Sequence, residues 1–325
     1  MGRYVIRRLL FSIPVLFLSS ILVFWVTRAT TDPSTALRTN PRVTAEQLAE
    51  YQAELGLDAS LPEQYFTWLG DFVTGKWGTS LISNEEVTGD LMDALINSAV
   101  LGITATVVSL VLGIAIGLYS SLRPYSKFDY VATTGAFVGL SMPVFWFALI
   151  VQLVLGIWLT RWVGANEPIF FIAGVTSPNP EGFDLLDRTR HLVLPVIVLS
   201  VQVVAIYSRY FRASMLEVLQ SDYMRTARSK GLRERRVILH HAMRNALIPI
   251  TTQLAIDAGA IAGGLIVTEQ IFSYPGMGQM FLDAFDLGDY PVILAWLMVT
   301  VIFVIVFNLI ADLLYAVLDP RIRYA

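Results

Sequence analysis

The sequence contains six apolar runs, each about as long as a helix that crosses a lipid bilayer. A helix spanning the hydrocarbon core needs about 20 consecutive, mostly apolar residues. The runs extend over roughly Leu9 to Thr27, Ala99 to Ser121, Tyr130 to Leu159, Leu192 to Phe211, Ala246 to Ile271 and Val292 to Leu318. Because backbone groups in lipid must hydrogen-bond within their own segment, these runs predict an all-α membrane protein with about six transmembrane helices.

The composition agrees with a chain that lies mainly in a membrane. Hydrophobic residues make up 55% of it and charged residues 15%, and the mean hydropathy is +0.61, outside the usual range of soluble domains. The absence of cysteine excludes disulfides, thiolate metal sites and a cysteine nucleophile. The sequence has no HExxH pair and no GxxxxGK[ST] loop. We therefore predict no catalytic, cofactor-binding or metal-binding residue on this chain.

Lysine and arginine are concentrated in alternate connections between the apolar runs. Short loops rich in these residues stay on the cytoplasmic side of a membrane. The basic residues that define this side are Arg3, Arg7, Arg8, Arg123, Lys127, those within the segment Asp222 to Pro249, Arg321 and Arg323. The opposite side carries most of the acidic residues. We expect both termini to be cytoplasmic and the first run to be a retained span, since no small-residue cleavage site follows it.

These features divide the chain into segments. Residues 1–28 are expected to form a cytoplasmic start and the first transmembrane helix, and residues 29–97 an extracytoplasmic loop domain. Residues 98–318 are expected to form a core of five helices that includes a cytoplasmic loop at 216–245, here called the coupling loop, and 319–325 a cytoplasmic tail.

The loop at 29–97 is too long to be a simple connector. Thr44–Gln47 and Ser60–Glu63 both match the capping-box pattern that begins a helix, and Gly56 is suited to end the first of them. We expect two short amphipathic helices, or a helical cap at the outer membrane surface. A packed lid without a ligand and a surface that contacts the ligand directly are the two alternatives.

The segment from Asp222 to Pro249 is the main candidate for a functional surface. It is basic and rich in helix-forming residues, and it lies between two apolar runs. Charge alone is explained by membrane orientation. The spacing adds a second interpretation, because Ala227 and Gly231 are one helical turn apart and predict a bare patch that a partner can approach, with Met224 and Leu232 as apolar flanks.

This segment resembles the EAA loop of permease subunits in ATP-driven (ABC) importers, in the form found in the oligopeptide and dipeptide group. The resemblance is carried by DYMRTARSKGL at Asp222–Leu232 and by RNALIP at Arg244–Pro249, with Arg225 and Thr226 replacing the Glu and Ala of the general motif. It implies that the loop contacts a cytoplasmic ATPase. The residues to which it assigns this coupling role are Arg225, Thr226, Ala227, Lys230, Gly231 and Leu232.

Further short motifs extend the resemblance over nearly the whole chain, and their order is similar to that of the B-type permease subunit. They include Leu55–Asp58, Ser141–Pro143, His191–Pro195, Pro275–Gly278 and Leu318–Arg323. The chain departs from the family at Thr30–Pro33 and at Gly288, both on the predicted outer face.

The resemblance implies a set of partners. They are a second, similar permease subunit, cytoplasmic ATPase subunits or a fused ATPase, an extracytoplasmic peptide-binding protein, a peptide substrate and the lipid bilayer, with no nucleic acid. ATP and Mg²⁺ would be bound by the partner subunits and not by this chain. The expected location is the cytoplasmic (inner) membrane of a prokaryote.

Asp257 is the acidic residue nearest the middle of an apolar run, and a charge at that depth costs about 2.5–3.5 kcal/mol on insertion scales. Together with Gln253 it is a candidate for the translocation path, where it would meet the charged groups of a passing peptide. The structural alternative is an acid hydrogen-bonded between helices. Two other classes of protein remain open: a proton-coupled secondary transporter that uses Asp257 or Glu269, and a sensory membrane protein whose outer loop is a receptor.

Three prolines also carry predictions about the spans. Pro143 predicts a kink in the third run or a short helix before it. Pro195 and Pro249 are expected at helix starts, where proline is tolerated.

Overall fold

The computed structural model describes residues 2–30, 43–44, 46–47, 52–53, 56, 59–81, 83–178, 182, 184–261 and 265–318. In these residues the regular structure is helical apart from an isolated bridge between Thr79 and Glu86. The helices are α1 Gly2–Thr30, α2 Leu61–Val73, α3 Val87–Leu122, α4 Lys127–Ser141, α5 Val144–Val151, a π-helix Gln152–Trp158, α6 Leu159–Val163, α7 Leu185–Leu219, α8 Asp222–Ser229, α9 Glu234–Arg236, a π-helix Val237–Ala242, α10 Met243–Ala246, α11 Ile248–Ile261, α12 Ile266–Ile271, α13 Met277–Leu287 and α14 Tyr290–Leu318.

Within the described part of the chain, five helical stretches are long and apolar enough to cross a membrane. They are Ile6–Thr30, Val87–Leu122, Val144–Val163, Leu185–Leu219 and Tyr290–Ile310. The prediction of an all-helical membrane protein is confirmed. The fifth apolar run of the sequence falls on α11 and α12, which lie on either side of residues outside the description.

Two helices are longer than their apolar runs. α3 begins at Val87, well before the predicted start at Ala99, and α7 extends past both ends of the run Leu192 to Phe211. The polar residues at these ends are helical as well. Hydropathy marks the apolar part of a helix and does not mark the residues at which the helix begins and ends. The Asp184 side chain caps the start of α7 by accepting bonds from the amides of the next turn.

Pro143 interrupts the third apolar run. α4 ends at Ser141, and Pro143 is the N-cap of α5, whose helical path continues through the π-helix. Since proline has no amide hydrogen and disfavours helical geometry in the residue before it, the backbone leaves the helix at Met142. The predicted separate helix before Pro143 is confirmed, and the chain from Lys127 onward is two helices in series.

The other two prolines give different outcomes. Pro249 is the second residue of α11, so its predicted position at a helix start is confirmed. Pro195 lies deep inside α7, and the prediction of a helix start there is wrong. The apolar run began close to Pro195, whereas the helix itself begins at Leu185 because Asp184 caps it.

The chain forms two compact units. The first consists of Met1–Ser98, Gly259–Ile266 and Pro275–Leu309. Its core is a cluster of buried apolar side chains from α1, α2, the start of α3, α13 and α14. The Ser20 and Tyr65 hydroxyls are hydrogen-bonded at 2.7 Å between α1 and α2, and the Trp296 indole donates to the Met277 carbonyl at 2.7 Å.

The described part of residues 29–97 belongs to this first unit. The Thr44 capping box is present, since the Gln47 amide donates to the Thr44 hydroxyl at 3.2 Å and the Thr44 amide to the Gln47 side chain at 2.9 Å. Gly56 has φ +60°, a conformation that suits a helix end, but most of the helix predicted between Thr44 and Gly56 lies outside the described residues. The helix predicted after Ser60 is confirmed as α2, but Ser60 makes no side-chain cap bond, so the capping box predicted there is wrong.

The second unit consists of Ala99–Ala258, Val267–Tyr274 and Ile310–Ala325. Its α7 is the central helix, against which α4 and α5 pack along much of their length. α3 also approaches it closely, since a Cβ atom at Gly113 would come within 2.6 Å of the Tyr207 Cβ, and one at Gly117 within 2.6 Å of the Ser208 carbonyl oxygen. Glycine at these two positions lets the two backbones meet directly.

Candidate functional site

The coupling loop contains a short helix, α8, that lies directly after α7. α7 ends at Leu219, Ser221 is the N-cap of α8, and α8 ends at Ser229 with Lys230 as its C-cap. The negative charge of Asp222 in the first turn and the positive charge of Arg228 in the last turn both interact favourably with the helix dipole. Because a helix of eight residues is only marginally stable in water by itself, α8 depends on its contacts with the rest of the unit.

One face of α8 is buried in the chain's own core. The Met224 side chain is 0% exposed and Ala227 is 8% exposed. Both belong to a cluster whose other buried members are Phe211, Met215, Val237, Ala242, Ala246 and Ile250. The prediction of a bare, open patch at Ala227 is therefore wrong. The spacing of three residues does place Met224 and Ala227 on one face, but that face packs inward, and the half-buried Leu232 packs against the same cluster.

The opposite face of α8 is exposed and mainly basic. Arg225, Thr226, Arg228, Ser229 and Lys230 are all exposed. Arg225 Nη1 lies 3.7 Å from Asp222 Oδ1, but both side chains are so exposed that this ion pair adds little to stability. Of the residues assigned the coupling role, Arg225, Thr226, Lys230 and Gly231 are exposed, whereas Ala227 is buried and Leu232 is half-buried. Their role in coupling stays a prediction.

Arg228 forms the closest ion pair on the described part of this surface. Its Nη2 donates to Glu234 Oε1 at 2.9 Å, and its Nε lies 3.2 Å from Oε2. This hydrogen bond, with the charge of Glu234, raises the pKa of Arg228 above its ordinary value. Both side chains are about half exposed, so the pair contributes at most about 1 kcal/mol. Its effect is to hold the residues after Gly231 close to the end of α8.

Gly231 makes the turn that follows α8. Its φ is +74°, a left-handed conformation in which glycine carries no steric penalty. Its amide donates to the Arg228 carbonyl at 2.9 Å. A Cβ atom at this position would have no atom of the described chain within 4 Å, its chain neighbours left aside. Glycine therefore makes this turn without strain, and the space around it is open to a partner.

A hydrogen bond closes the coupling loop at its other end. The Asn245 side-chain amide donates to the Tyr223 hydroxyl at 2.8 Å. This contact joins the two sequence motifs on which the family resemblance rests, one at the start of α8 and one in α10. The loop is thus a folded element held by its apolar face, the Arg228 pair and this bond.

The structure brings Gln253 and Asp257 together on α11 and adds a residue that the sequence did not indicate. The Gln253 side chain donates to Asp257 Oδ1 at 2.8 Å, and the Tyr207 hydroxyl of α7 donates to Asp257 Oδ2 at 2.8 Å. Tyr207 is fully buried and Asp257 is half-buried. The hydrogen bond between helices expected by the structural alternative is present. A tyrosine in an apolar run gives no sequence clue to a partner on another helix.

Glu269 is the other acidic residue that a proton-coupled secondary transporter would use. Its side chain is 0% exposed in the second unit. Burial and the charge of Glu269 raise the pKa of the nearby Tyr274 to about 12, against the opposing charge of Arg188. Glu269 is therefore buried close to Tyr274, and Arg188 lies near enough to act on the same tyrosine.

Several apolar helices of membrane length and a folded basic loop place this chain among multispan helical membrane proteins. A family model described as the binding-protein-dependent transport system inner membrane component matches residues 109–324, and the model of the N-terminal part of such components matches residues 1–98. The chain belongs to this family of membrane components of binding-protein-dependent transport systems. The family resemblance inferred from the sequence is confirmed.

Named relatives match the chain from end to end. The oligopeptide transport system permease protein AppB of Bacillus subtilis is 41% identical over 325 residues, which is 100% of both chains. The dipeptide transport system permease protein DppB of Escherichia coli K12 is 34% identical over 340 residues, covering 100% of this chain and 99% of the relative. The di/tripeptide permease DppB of Pseudomonas aeruginosa is 34% identical over 99% of this chain.

Proposed function

We propose that this chain is the permease subunit of an ATP-driven peptide importer, in which it forms half of the translocation path. Its partners would be a second, similar permease subunit, cytoplasmic ATPase subunits and an extracytoplasmic peptide-binding protein. The observation that carries this proposal is whole-length similarity to permeases named for oligopeptides, dipeptides and tripeptides. ATP hydrolysis would take place on the partner subunits, and this chain would convert it into movement of the helices.

The coupling loop is the proposed point of contact with an ATPase subunit. Its exposed basic face is available to a partner, while its apolar face is anchored in the cluster that contains Phe211 and Met215 of α7. A force applied to α8 is therefore transmitted to the end of α7. In this proposal Arg225, Thr226, Lys230 and Gly231 contact the ATPase, whereas Ala227 and Leu232 position α8. The helices attached to it would switch the path between two states.

A test of this function is reconstitution of the assembled transporter in proteoliposomes. Uptake of a labelled peptide should require ATP, the binding protein and this chain together. Uptake that continues without the ATPase subunits, and that a proton gradient drives, would contradict the proposal. Stoichiometric recovery of ATPase subunits with the purified chain would separate it from a sensory protein.

The proposed topology has six spans with both termini in the cytoplasm, the α11–α12 region providing the fifth span. It follows from the positions of lysine and arginine. A reporter that is active only outside the cytoplasm should be active when fused after Ser60 and silent when fused after Gly231. The reverse pattern would place the coupling loop outside and remove it as an ATPase contact.

Asp257→Asn separates the proposed importer from a proton-coupled carrier. Asparagine keeps the shape, and its carbonyl oxygen can accept from Gln253 while its amide group donates to the Tyr207 hydroxyl, but it cannot carry a proton. An ATP-driven importer should keep at least about half of its uptake rate, because both hydrogen bonds can be kept and only their charge assistance is lost. A carrier should lose nearly all uptake. The measurement is the initial uptake rate in complexes shown to hydrolyse ATP, with Tyr207→Phe as a control that removes one donor and leaves the acid.

A further inference from the structure

A partly buried ion pair joins α4 to α7 next to the residues that anchor the coupling loop. Arg212 Nε donates to Asp129 Oδ1 at 2.6 Å, and Arg212 Nη2 donates to Asp129 Oδ2 at 2.7 Å. Two parallel bonds of this kind fix direction as well as distance. The Asp129 side chain is 5% exposed and that of Arg212 27% exposed. No sequence pattern indicates this pair, because its members are 83 residues apart along the chain.

Asp129 is itself held in place by its surroundings. The Tyr125 amide donates to Asp129 Oδ2 at 2.9 Å, and the Asp129 amide donates to the Ser126 hydroxyl at 3.2 Å. Tyr125 has φ +63°, an unusual value for a residue with a side chain. The strained turn before α4 thus directs an amide at this carboxylate. Such a conformation persists only where its surroundings fix it.

Arg212 lies where three helices of the second unit meet. Its neighbour Phe211 and Met215, one turn later, are fully buried in the cluster that anchors Met224 of α8. A Cβ atom at Gly117 of α3 would lie 3.2 Å from the Arg212 backbone amide nitrogen. The ion pair therefore attaches α4 to the part of α7 that a force on the coupling loop would reach first.

α4 runs antiparallel to α7 from this pair to the break before Pro143. Gly139 packs against Val201, since a Cβ atom there would be 3.1 Å from the Val201 Cγ1, and the Gln202 side chain donates to the Met142 carbonyl at 3.0 Å. The far end of α4 and the start of α5 line an open surface groove of about 610 Å³. Its lining includes Phe137 and Trp146, both about half exposed. Movement of α4 would change the shape of this groove.

From these contacts we propose that Asp129 and Arg212 are positioning residues that make α4 move together with α7 and the coupling loop. Through this pair a displacement of α8 also moves α4 and the open groove at the break before Pro143. Without the pair, α4 and α7 would slide past each other and the displacement would not reach that groove. The inference rests on the proposed function of the coupling loop. Arginine suits this role because its planar group holds both carboxylate oxygens, whereas lysine would hold the carboxylate as a single point charge.

The test uses distances between spin labels in the assembled transporter, and the absence of cysteine from this chain leaves the introduced labels as its only thiol sites. Labels are placed at Thr134→Cys on α4 and Asp222→Cys at the start of α8, both exposed positions outside the residues proposed to contact the ATPase. In the parent, the distance distribution should be narrow and equal in the nucleotide-free and ATP-bound states. In Asp129→Asn it should broaden or shift between the two states. This measurement needs no peptide, so it remains informative if peptides are not the cargo.

Transport per ATP hydrolysed provides a second readout. Asp129→Asn should keep ATP hydrolysis and ATPase recovery but lose about tenfold or more in peptide uptake per ATP. The control is Asp187→Asn at the other end of α7, whose carboxylate accepts from the Ser177 hydroxyl at 2.6 Å and the Ser177 amide at 2.8 Å. It should leave the α4–α8 distance and the transport ratio unchanged.

Two results would overturn the proposal. One is a distance in the parent that changes between states, and the other is an Asp129→Asn variant with the distances and the ratio of the parent. If Asp129→Asn does not assemble, Arg212→Lys replaces it under the same criteria, because it keeps the charge but cannot form the paired bonds. Exchange of the two residues, Asp129→Arg with Arg212→Asp, should restore part of the lost peptide uptake per ATP hydrolysed.

Discussion

Gly231→Trp should abolish peptide uptake while the chain still inserts into the membrane. The position is exposed at the end of α8 and has open space around it, so the indole would project towards the proposed ATPase contact. Extra volume in a packed interface costs about 1–3 kcal/mol or more, and 1.4 kcal/mol corresponds to a factor of about ten in affinity. We expect recovery of the ATPase subunits with the purified chain to fall at least about tenfold.

Two other substitutions at the same position separate bulk from backbone strain. Gly231→Ala adds strain at φ +74° but little volume, and Gly231→Asn adds a side chain that tolerates the left-handed conformation. Both should retain most of the uptake if bulk is the cause. Equal losses in all three variants would assign the effect to the turn itself. Normal uptake and normal ATPase recovery in Gly231→Trp would show that the partner does not bind at this end of α8.

Met224→Ala should release α8 from the rest of the second unit. Met224 is fully buried, and truncation of a buried methionine to alanine costs about 2–5 kcal/mol. α8 has eight residues and is too short to be stable by itself. The substitution therefore lowers the free energy that is needed to open this helix locally. We expect hydrogen-exchange protection of the α8 amides to fall at least about 30-fold. Peptide uptake per ATP should fall with it, because a loose helix transmits no force to α7.

The matched control for this experiment is Met224→Leu. Leucine has a similar volume, and exchanges of this kind usually cost less than about 1.5 kcal/mol. Protection of the α8 amides should then stay within about tenfold of the parent. Unchanged protection in Met224→Ala would mean that the contacts of Ala227, Leu232 and Tyr223 hold α8 without the methionine, and it would contradict the role given to its buried face.

The lengths of the apolar runs identified most of the long helices, but they did not locate the helix ends. α7 begins at Leu185 because the Asp184 side chain caps it, whereas the apolar run starts several residues later. The break at Pro143 could be read from the sequence, since proline changes the local backbone wherever it occurs. The continuous helix through Pro195 could not, because neighbouring residues in a tertiary fold can accommodate a proline.

The coupling loop shows the same division within a functional site. The sequence located the segment, its charge and its family resemblance, and its Ala227–Gly231 spacing suggested an open patch. The structure instead directs Met224 and Ala227 into the core and leaves Arg225, Thr226 and Lys230 exposed. A short helix buries the face that packs against a neighbouring element. For α8 that neighbour is the end of α7.

The sequence by itself determined the membrane class, the positions of most long helices and the family, because hydropathy, charge bias and motif order are properties of the chain read residue by residue. Only the tertiary structure decided the pairing of Asp129 with Arg212 and of Tyr207 with Asp257. The members of each pair are separated by dozens of residues or more, and no local pattern encodes which helices will lie side by side. Such contacts arise from the packing of α4, α7 and α11, and packing becomes defined only when the chain is folded.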